Sequence, residues 1–274
     1  MRLPRPDAPD IVKMDKTCET EYGFPSSHSL AAAALSPYLC YMIVTEIDSL
    51  YFKIFIICFT LFHTTSMTLS RLYMGAHSLA DCKIQQKLNN LIFSPKGIAG
   101  YSLGLISFLL FVHYGDSYWN WVIEKDFTYT STVLILISLS LLYGYPFPEK
   151  YTTAFGDSAA SICVLLGTSL ASNVHAHNNL LVSFSQPSRH LQFGFFWMLF
   201  IVFSRLIIGY LVIFATRLIC KTLTLTVVNR MMSLDPSTKD SYAKEIPTKF
   251  VVYSMLGWNC VYLVPLIFAK IGIN

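Results

Sequence analysis

The chain has 274 residues, of which 54% are hydrophobic and 13% charged, with a formal net charge of +4 and a mean hydropathy of +0.50. Soluble domains carry about 25% charged residues, so a chain this apolar reads as a polytopic membrane protein rather than a soluble enzyme. The basic residues are dispersed and no nucleic-acid motif is present, which removes nucleic acid from the partners considered.

Residues 1–28 are polar and proline-rich and read as a loop. Met1-Arg2-Leu3-Pro4-Arg5-Pro6 is not followed by an apolar run, so it does not read as a cleavable signal. About seven spans follow on a ~20-residue window. They lie near 29–45, 50–69, 98–114, 128–145, 154–172, 192–218 and 249–271, an all-α transmembrane bundle over 29–274. Pro37 predicts a kink in the first span. Arg205, inside the sixth, calls for a polar cavity or a partner, and Asp157 is a candidate for that partner. Trp119 and Trp121 read as interfacial anchors. The stretch 221–248, with Lys221, Arg230, Lys239 and Lys244, reads as a solvated loop. The seven cysteines are scattered without a C-x-x-C pair and read as small apolar residues.

Two polar clusters stand at the edges of apolar stretches. The first is Pro25-Ser26-Ser27-His28 and the second is Ser70-Arg71-(x5)-His77-(x3)-Asp81. Two crossings joined by a short turn return the chain to the side it left, so both clusters can meet at one membrane face. His77 and Asp81 are four apart and share a helix face, where the carboxylate can accept the imidazole N–H and leave the other nitrogen as a lone pair. Arg71 can fork onto phosphate oxygens. Ser26, Ser27 and their N–H groups open a helix, a natural anion site. His28 can protonate a leaving alkoxide, a role worth about 10²–10⁴-fold in rate. Arg5 could add a second positive charge. This is the inventory for cleaving a phosphate ester without a metal.

Each part has a plainer reading. A lone Ser-Ser-His is more often an N-cap, a lone His-x-x-x-Asp a structural hydrogen bond, and Arg71 alone an interfacial snorkeller. Only their conjunction favours chemistry. His63 reads as a packed or hydrogen-bonded polar residue with some prospect of facing the site. His175 and His177 form an H-x-H without an acidic or cysteine partner and read as solvated loop histidines rather than a zinc site.

At these residues the chain resembles the type 2 phosphatidate phosphatase and vanadium haloperoxidase superfamily, whose pattern is K-x6-R-P, P-S-G-H and S-R-x5-H-x3-D. Arg5-Pro6 matches the end of the first motif, Pro25-Ser26-Ser27-His28 the second with Ser for Gly, and Ser70 to Asp81 the third in full. Within that superfamily it is similar to the sphingosine-1-phosphate phosphatases. Glu21 to His28, Ser70 to Gly75, and Pro247-Thr248-Lys249-Phe250-Val251 leading to Val264-Pro265 carry that likeness.

The resemblance implies a magnesium-independent lipid phosphate monoesterase of the endoplasmic reticulum membrane, with no cofactor. It implies His77 as nucleophile forming a phosphohistidine, Asp81 orienting it and His28 as acid and later base. Arg5, Ser26, Ser27 and Arg71 would hold phosphate. The substrate would be sphingosine-1-phosphate or dihydrosphingosine-1-phosphate. Phosphatidate or a polyprenyl phosphate is the alternative substrate, and a non-catalytic protein that binds lipid or a full-length partner is the alternative of another class.

Two departures stand out. The lysine of the first motif would fall before Met1, with Arg2 only a weak substitute. Residues 83–97 interpose a polar stretch ending Ser94-Pro95-Lys96-Gly97. As continuous helix it would add about 22 Å and turn the downstream face by roughly 60°. Pro95 and Gly97 favour a break instead. The resemblance implies a lumenal site, whereas the denser Lys and Arg on the site's side favour the cytosol.

Overall fold

The computed structural model describes residues 27–73, 95–144, 153–178, 195–232 and 242–273. Over these residues the chain forms α1 (Ser27–Glu46), α2 (Leu50–Tyr73), α3 (Pro95–Glu124), α4 (Phe127–Gly144), α5 (Thr153–His177), α6 (Phe195–Met232), α7 (Tyr242–Val261) and α8 (Leu263–Ile271). Among the described residues, six helical stretches are long and apolar enough to cross a membrane. They are His28–Glu46, Leu50–Met67, Phe127–Gly144, Phe155–His177, Leu199–Met231 and Lys244–Ile271. The protein is an all-α, multi-pass membrane protein. The expected span at 98–114 is helical throughout but is not among the six, and its helix runs on through His113 and Asp116 to Glu124. Pro95 opens α3, where its missing N–H has no helical partner to lose.

The chain divides into two compact units, 1–116 and 117–274. In the first, α1 and α2 form a hairpin joined at 47–49. Ser29, Ala32 and Ala33 are buried on α1. Gly104 of α3 meets the same stretch. A Cβ there would lie 2.5 Å from the Leu30 carbonyl oxygen and 2.7 Å from Ala33 Cβ, so only glycine lets the backbones approach this closely. Tyr38 and Phe111 meet edge to face with ring centroids 4.8 Å apart. The outer side of α2 exposes Tyr51, Phe55, Phe59 and Phe62, as a lipid-facing helix does.

In the second unit α5 packs closely on α7. A Cβ on Gly167 would fall on the Ser254 carbonyl, and one on Gly257 would fall on the Val164 carbonyl. Leu142 of α4, Phe155, Ala159 and Cys163 of α5, and Ile246 of α7 form a common core cluster. Asp126 caps α4 by accepting from the Thr128 N–H at 2.9 Å. Asn173, fully buried, donates through Nδ2 to the carbonyls of Val122 (2.6 Å) and Lys125 (2.8 Å) at the end of α3. Those carbonyls lie where a helix runs out of its own donors. Asn259 donates to Thr216 Oγ1 at 2.8 Å, tying α7 to α6.

Several expectations are corrected. The solvated loop at 221–248 is helical at both ends, with only 233–241 outside the described residues. α6 is 38 residues long, about 57 Å at 1.5 Å per residue, and so outruns a hydrocarbon core of about 30 Å. The helix does not end at its polar residues, and its apolar stretch reaches Met231. Thr222 and Thr226 return their hydroxyls to the carbonyls of Leu218 and Thr222 at 2.8 and 2.9 Å, which hides their polarity within the helix.

His175 and His177 are not solvated loop residues, because α5 continues through both. His175 is 1% exposed and its Nε2 lies 2.6 Å from the Val261 carbonyl. The cause is Pro265. In a continuous helix the N–H of residue 265 would serve Val261, proline has none, and His175 supplies the donor from another helix. Arg205 donates from Nε to the Ile273 carbonyl at 2.5 Å and lies 6.0 Å from the Phe268 ring centre. The expected partner Asp157 is exposed on α5. Of the described cysteines, Cys163 is buried while Cys58 and Cys260 are exposed on membrane-spanning helices, so not all are packed inside.

Candidate functional site

The described residues of the two motif clusters, Ser27-His28 and Ser70-Arg71, belong to the first unit. The first cluster's helix begins earlier than the sequence suggested. α1 starts at Ser27 rather than near 29, so Ser27 and His28 stand in its first turn. The N–H groups of that turn have no helical acceptors and carry the positive end of the helix dipole. His28 is exposed and Ser29 beside it is buried at 1%. α2 runs past its expected end to Tyr73, so Ser70 and Arg71 lie in its last turn. Ser70 Oγ donates to the Met67 carbonyl at 2.8 Å. Arg5, Ser26, His77 and Asp81, and residues 83–94 of the expected insertion, lie outside the described residues.

One contact fixes the level of the two helices. Ser36 Oγ of α1 and His63 Nδ1 of α2 are 3.0 Å apart, either atom able to donate according to the histidine tautomer. From that pair, eight residues toward the start of α1 reach His28, and eight toward the end of α2 reach Arg71. Each path rises about 12 Å along antiparallel helices of equal pitch. The start of α1 and the end of α2 therefore stand level at one end of the hairpin. Sequence reasoning read His63 as a hydrogen-bonded polar residue but missed Ser36. The available signal was that Ser36 and His63 are polar residues inside the two spans that flank the short turn at 47–49. Among the described residues, no group of three or more His, Cys, Asp or Glu side chains gathers into a metal-binding cluster.

Comparison with known proteins bears on the same segment. The family model described as PAP2 superfamily matches residues 1–84. Sphingosine-1-phosphate phosphatase 1 of Mus musculus is 26% identical over the whole of this chain and 61% of its own length. Sphingosine-1-phosphate phosphatase 2 of Mus musculus is 23% identical over the whole chain and 73% of its own length. A dihydrosphingosine 1-phosphate phosphatase of Schizosaccharomyces pombe is 27% identical over 65% of this chain and 42% of its own length. These matches support the kinship read from the motifs. The chain spans about 61% of the length of the first of these relatives. No solved structure matches it significantly.

Proposed function

We propose that the protein is a lipid phosphate phosphatase of the endoplasmic reticulum membrane that hydrolyses phosphorylated sphingoid bases. The observation that carries this reading is the placement of Ser27-His28 at the start of α1 and of Ser70-Arg71 at the end of α2, level across a single hairpin. The whole-chain likeness to phosphatases named for sphingosine-1-phosphate supports the substrate class, while the compartment rests on the motif resemblance alone.

In this mechanism Asp81 holds one nitrogen of His77, and the other attacks phosphorus. A nitrogen–phosphorus bond forms while the bond from phosphorus to the sphingoid C1 oxygen breaks. His28 gives its proton to that oxygen, so the base leaves as a neutral alcohol. His28, now neutral, takes a proton from water. The resulting hydroxide attacks phosphorus, the bond to His77 breaks, and inorganic phosphate departs. Arg71 and Arg5 offset the charge on the phosphoryl oxygens, with Ser26, Ser27 and the first-turn N–H groups of α1 completing the cradle. Electrostatic stabilisation of this kind dominates phosphoryl transfer.

The test uses the purified full chain in detergent micelles with dihydrosphingosine-1-phosphate or phosphatidate, with EDTA present. Phosphate release from the sphingoid substrate, blocked by vanadate and abolished in His77→Ala, supports the proposal. His28→Ala should retain trapped phosphoenzyme. Normal turnover by His77→Ala removes the nucleophile assignment, and equal rates on phosphatidate remove the substrate assignment. Lipid binding without phosphate release from the unmodified chain replaces the enzyme by a lipid-binding protein.

A further inference from the structure

We infer that Ser36 and His63 form a register pin, a pair of positioning residues that keeps the start of α1 level with the end of α2. Their bearing on catalysis rests on the phosphatase reading above. The pin itself does not.

Position is the first ground. Pro37 lies inside α1 and has no N–H to give the Ala33 carbonyl, so α1 loses a backbone bond at that turn. The half of the helix beyond this weak point, Ser27 to Ser36, is the half that bears His28. Ser36 is the residue before the proline, and the 3.0 Å contact to His63 binds α1 to α2 right at that turn. Along the same half, Gly104 admits α3 against Leu30 and Ala33. The catalytic end of α1 is thus held both by close packing and by one directional bond.

Chemistry is the second ground. Both residues lie well inside spans, Ser36 within His28–Glu46 and His63 within Leu50–Met67. A histidine at that depth is unfavourable against any apolar residue unless it serves a purpose. Apolar side chains on a lipid-exposed hairpin also slide past one another by a turn without large penalty, because lipid is as apolar as leucine. A single polar pair has only one register in which both members are satisfied, as a lone polar residue has in a coiled-coil seam. His63 also extends the aromatic row of Phe52, Phe55 and Phe59, with its ring 6.5 Å from that of Phe59. This row limits how the imidazole can turn away from Ser36.

The geometry names a place to read the register. Seven residues from each member of the pin, Ser29 and Ser70 should share the same seam, since seven residues are close to two helical turns. Ser29 is buried and Ser70 half-buried.

The experiment has two readouts on the full chain. The first is the kcat and KM for dihydrosphingosine-1-phosphate of Ser36→Ala, His63→Leu, their double variant, and His63→Asn. Asparagine places a polar atom where Nδ1 stood. The second is cross-linking of a Ser29→Cys/Ser70→Cys chain by a short bis-methanethiosulfonate, with Ser29→Cys/Ser66→Cys reporting a one-turn slip. Linked peptides are identified by mass spectrometry.

The pin predicts that each single variant loses roughly ten- to a hundredfold in kcat with little change in KM, as misplacement of reacting groups does. The double variant should lose no more than either single, and His63→Asn should recover most of the loss. His63→Leu should also deplete the 29–70 product and raise the 29–66 product. Unchanged kcat and unchanged 29–70 product in His63→Leu would overturn the inference. So would a fall in kcat with cross-linking intact, or additive losses in the double variant. If the unmodified chain shows no turnover but its 29–70 product still depends on His63, the phosphatase reading fails and the pin stands.

Discussion

Substitution of Gly167 by alanine tests the closest helix contact in the second unit. In an isolated helix the change is favourable by about 1 kcal/mol, because alanine has the higher propensity. Here the added methyl would coincide with the Ser254 carbonyl and lie 2.8 Å from the Trp258 nitrogen. Both obstacles are backbone, so no side chain can turn aside and α5 and α7 must move apart. Overpacking of this kind costs about 1–3 kcal/mol and more where nothing yields. The upper end applies, and subtracting the propensity gain leaves a net loss of about 2 kcal/mol. For a protein of this size that corresponds to a melting point lower by roughly 4–8 °C. Gly209 supplies the control, since a Cβ there meets nothing nearer than Val264 Cγ1 at 3.8 Å. Gly209→Ala should melt at or slightly above the unmodified protein. The assay is thermal unfolding in detergent followed by loss of the monodisperse peak. A Gly167→Ala protein as stable as Gly209→Ala would refute the account of close packing.

Asn173→Ala should lower stability by about 2–4 kcal/mol, because it strips donors from two carbonyls at once; the same melting assay reads it. His175→Leu should cost about 1–3 kcal/mol by leaving the Val261 carbonyl without its donor. Pro265→Ala should suppress part of that loss, since residue 265 regains the N–H that a helix would use, and a double-variant melt no better than His175→Leu would contradict the explanation. On the proposed mechanism, Arg71→Lys should reduce kcat/KM by about tenfold or more, because a single ammonium would replace a two-pronged contact to phosphate; phosphate release against substrate concentration measures it. Incubation with EDTA should leave that release unchanged.

The helices were legible from the length of apolar runs alone, because lipid imposes one requirement on every span and the sequence meets it openly. Boundaries failed where polarity and exposure part company. Lys221 to Met232 reads as loop from its charges and threonines, yet those threonines satisfy themselves on the preceding turn and the apolar helical stretch runs on to Met231. The motif residues stood out because motif spacing is local, and the described ones, His28 and Ser70-Arg71, lie at helix ends, while His77 and Asp81 lie outside the described residues. His175 did not stand out, because its role is assigned by a proline ninety positions away in the chain. What a sequence shows at once is that Pro265 leaves a carbonyl without its helical donor. Which side chain comes to meet that carbonyl is decided only by packing. The same logic governs Ser36. Pro37 marks a weakened turn on sight, while the bond that steadies it depends on His63 from the neighbouring helix. Pro265 and Pro37 are therefore the sequence positions from which these two tertiary hydrogen bonds can be anticipated. At Pro265 a carbonyl stripped of its donor recruits a polar side chain from another helix. At Pro37 a bond between helices forms at the weakened turn. A histidine or serine inside an apolar span, otherwise hard to justify, is best sought opposite such a turn before it is assigned to the chemistry of the site.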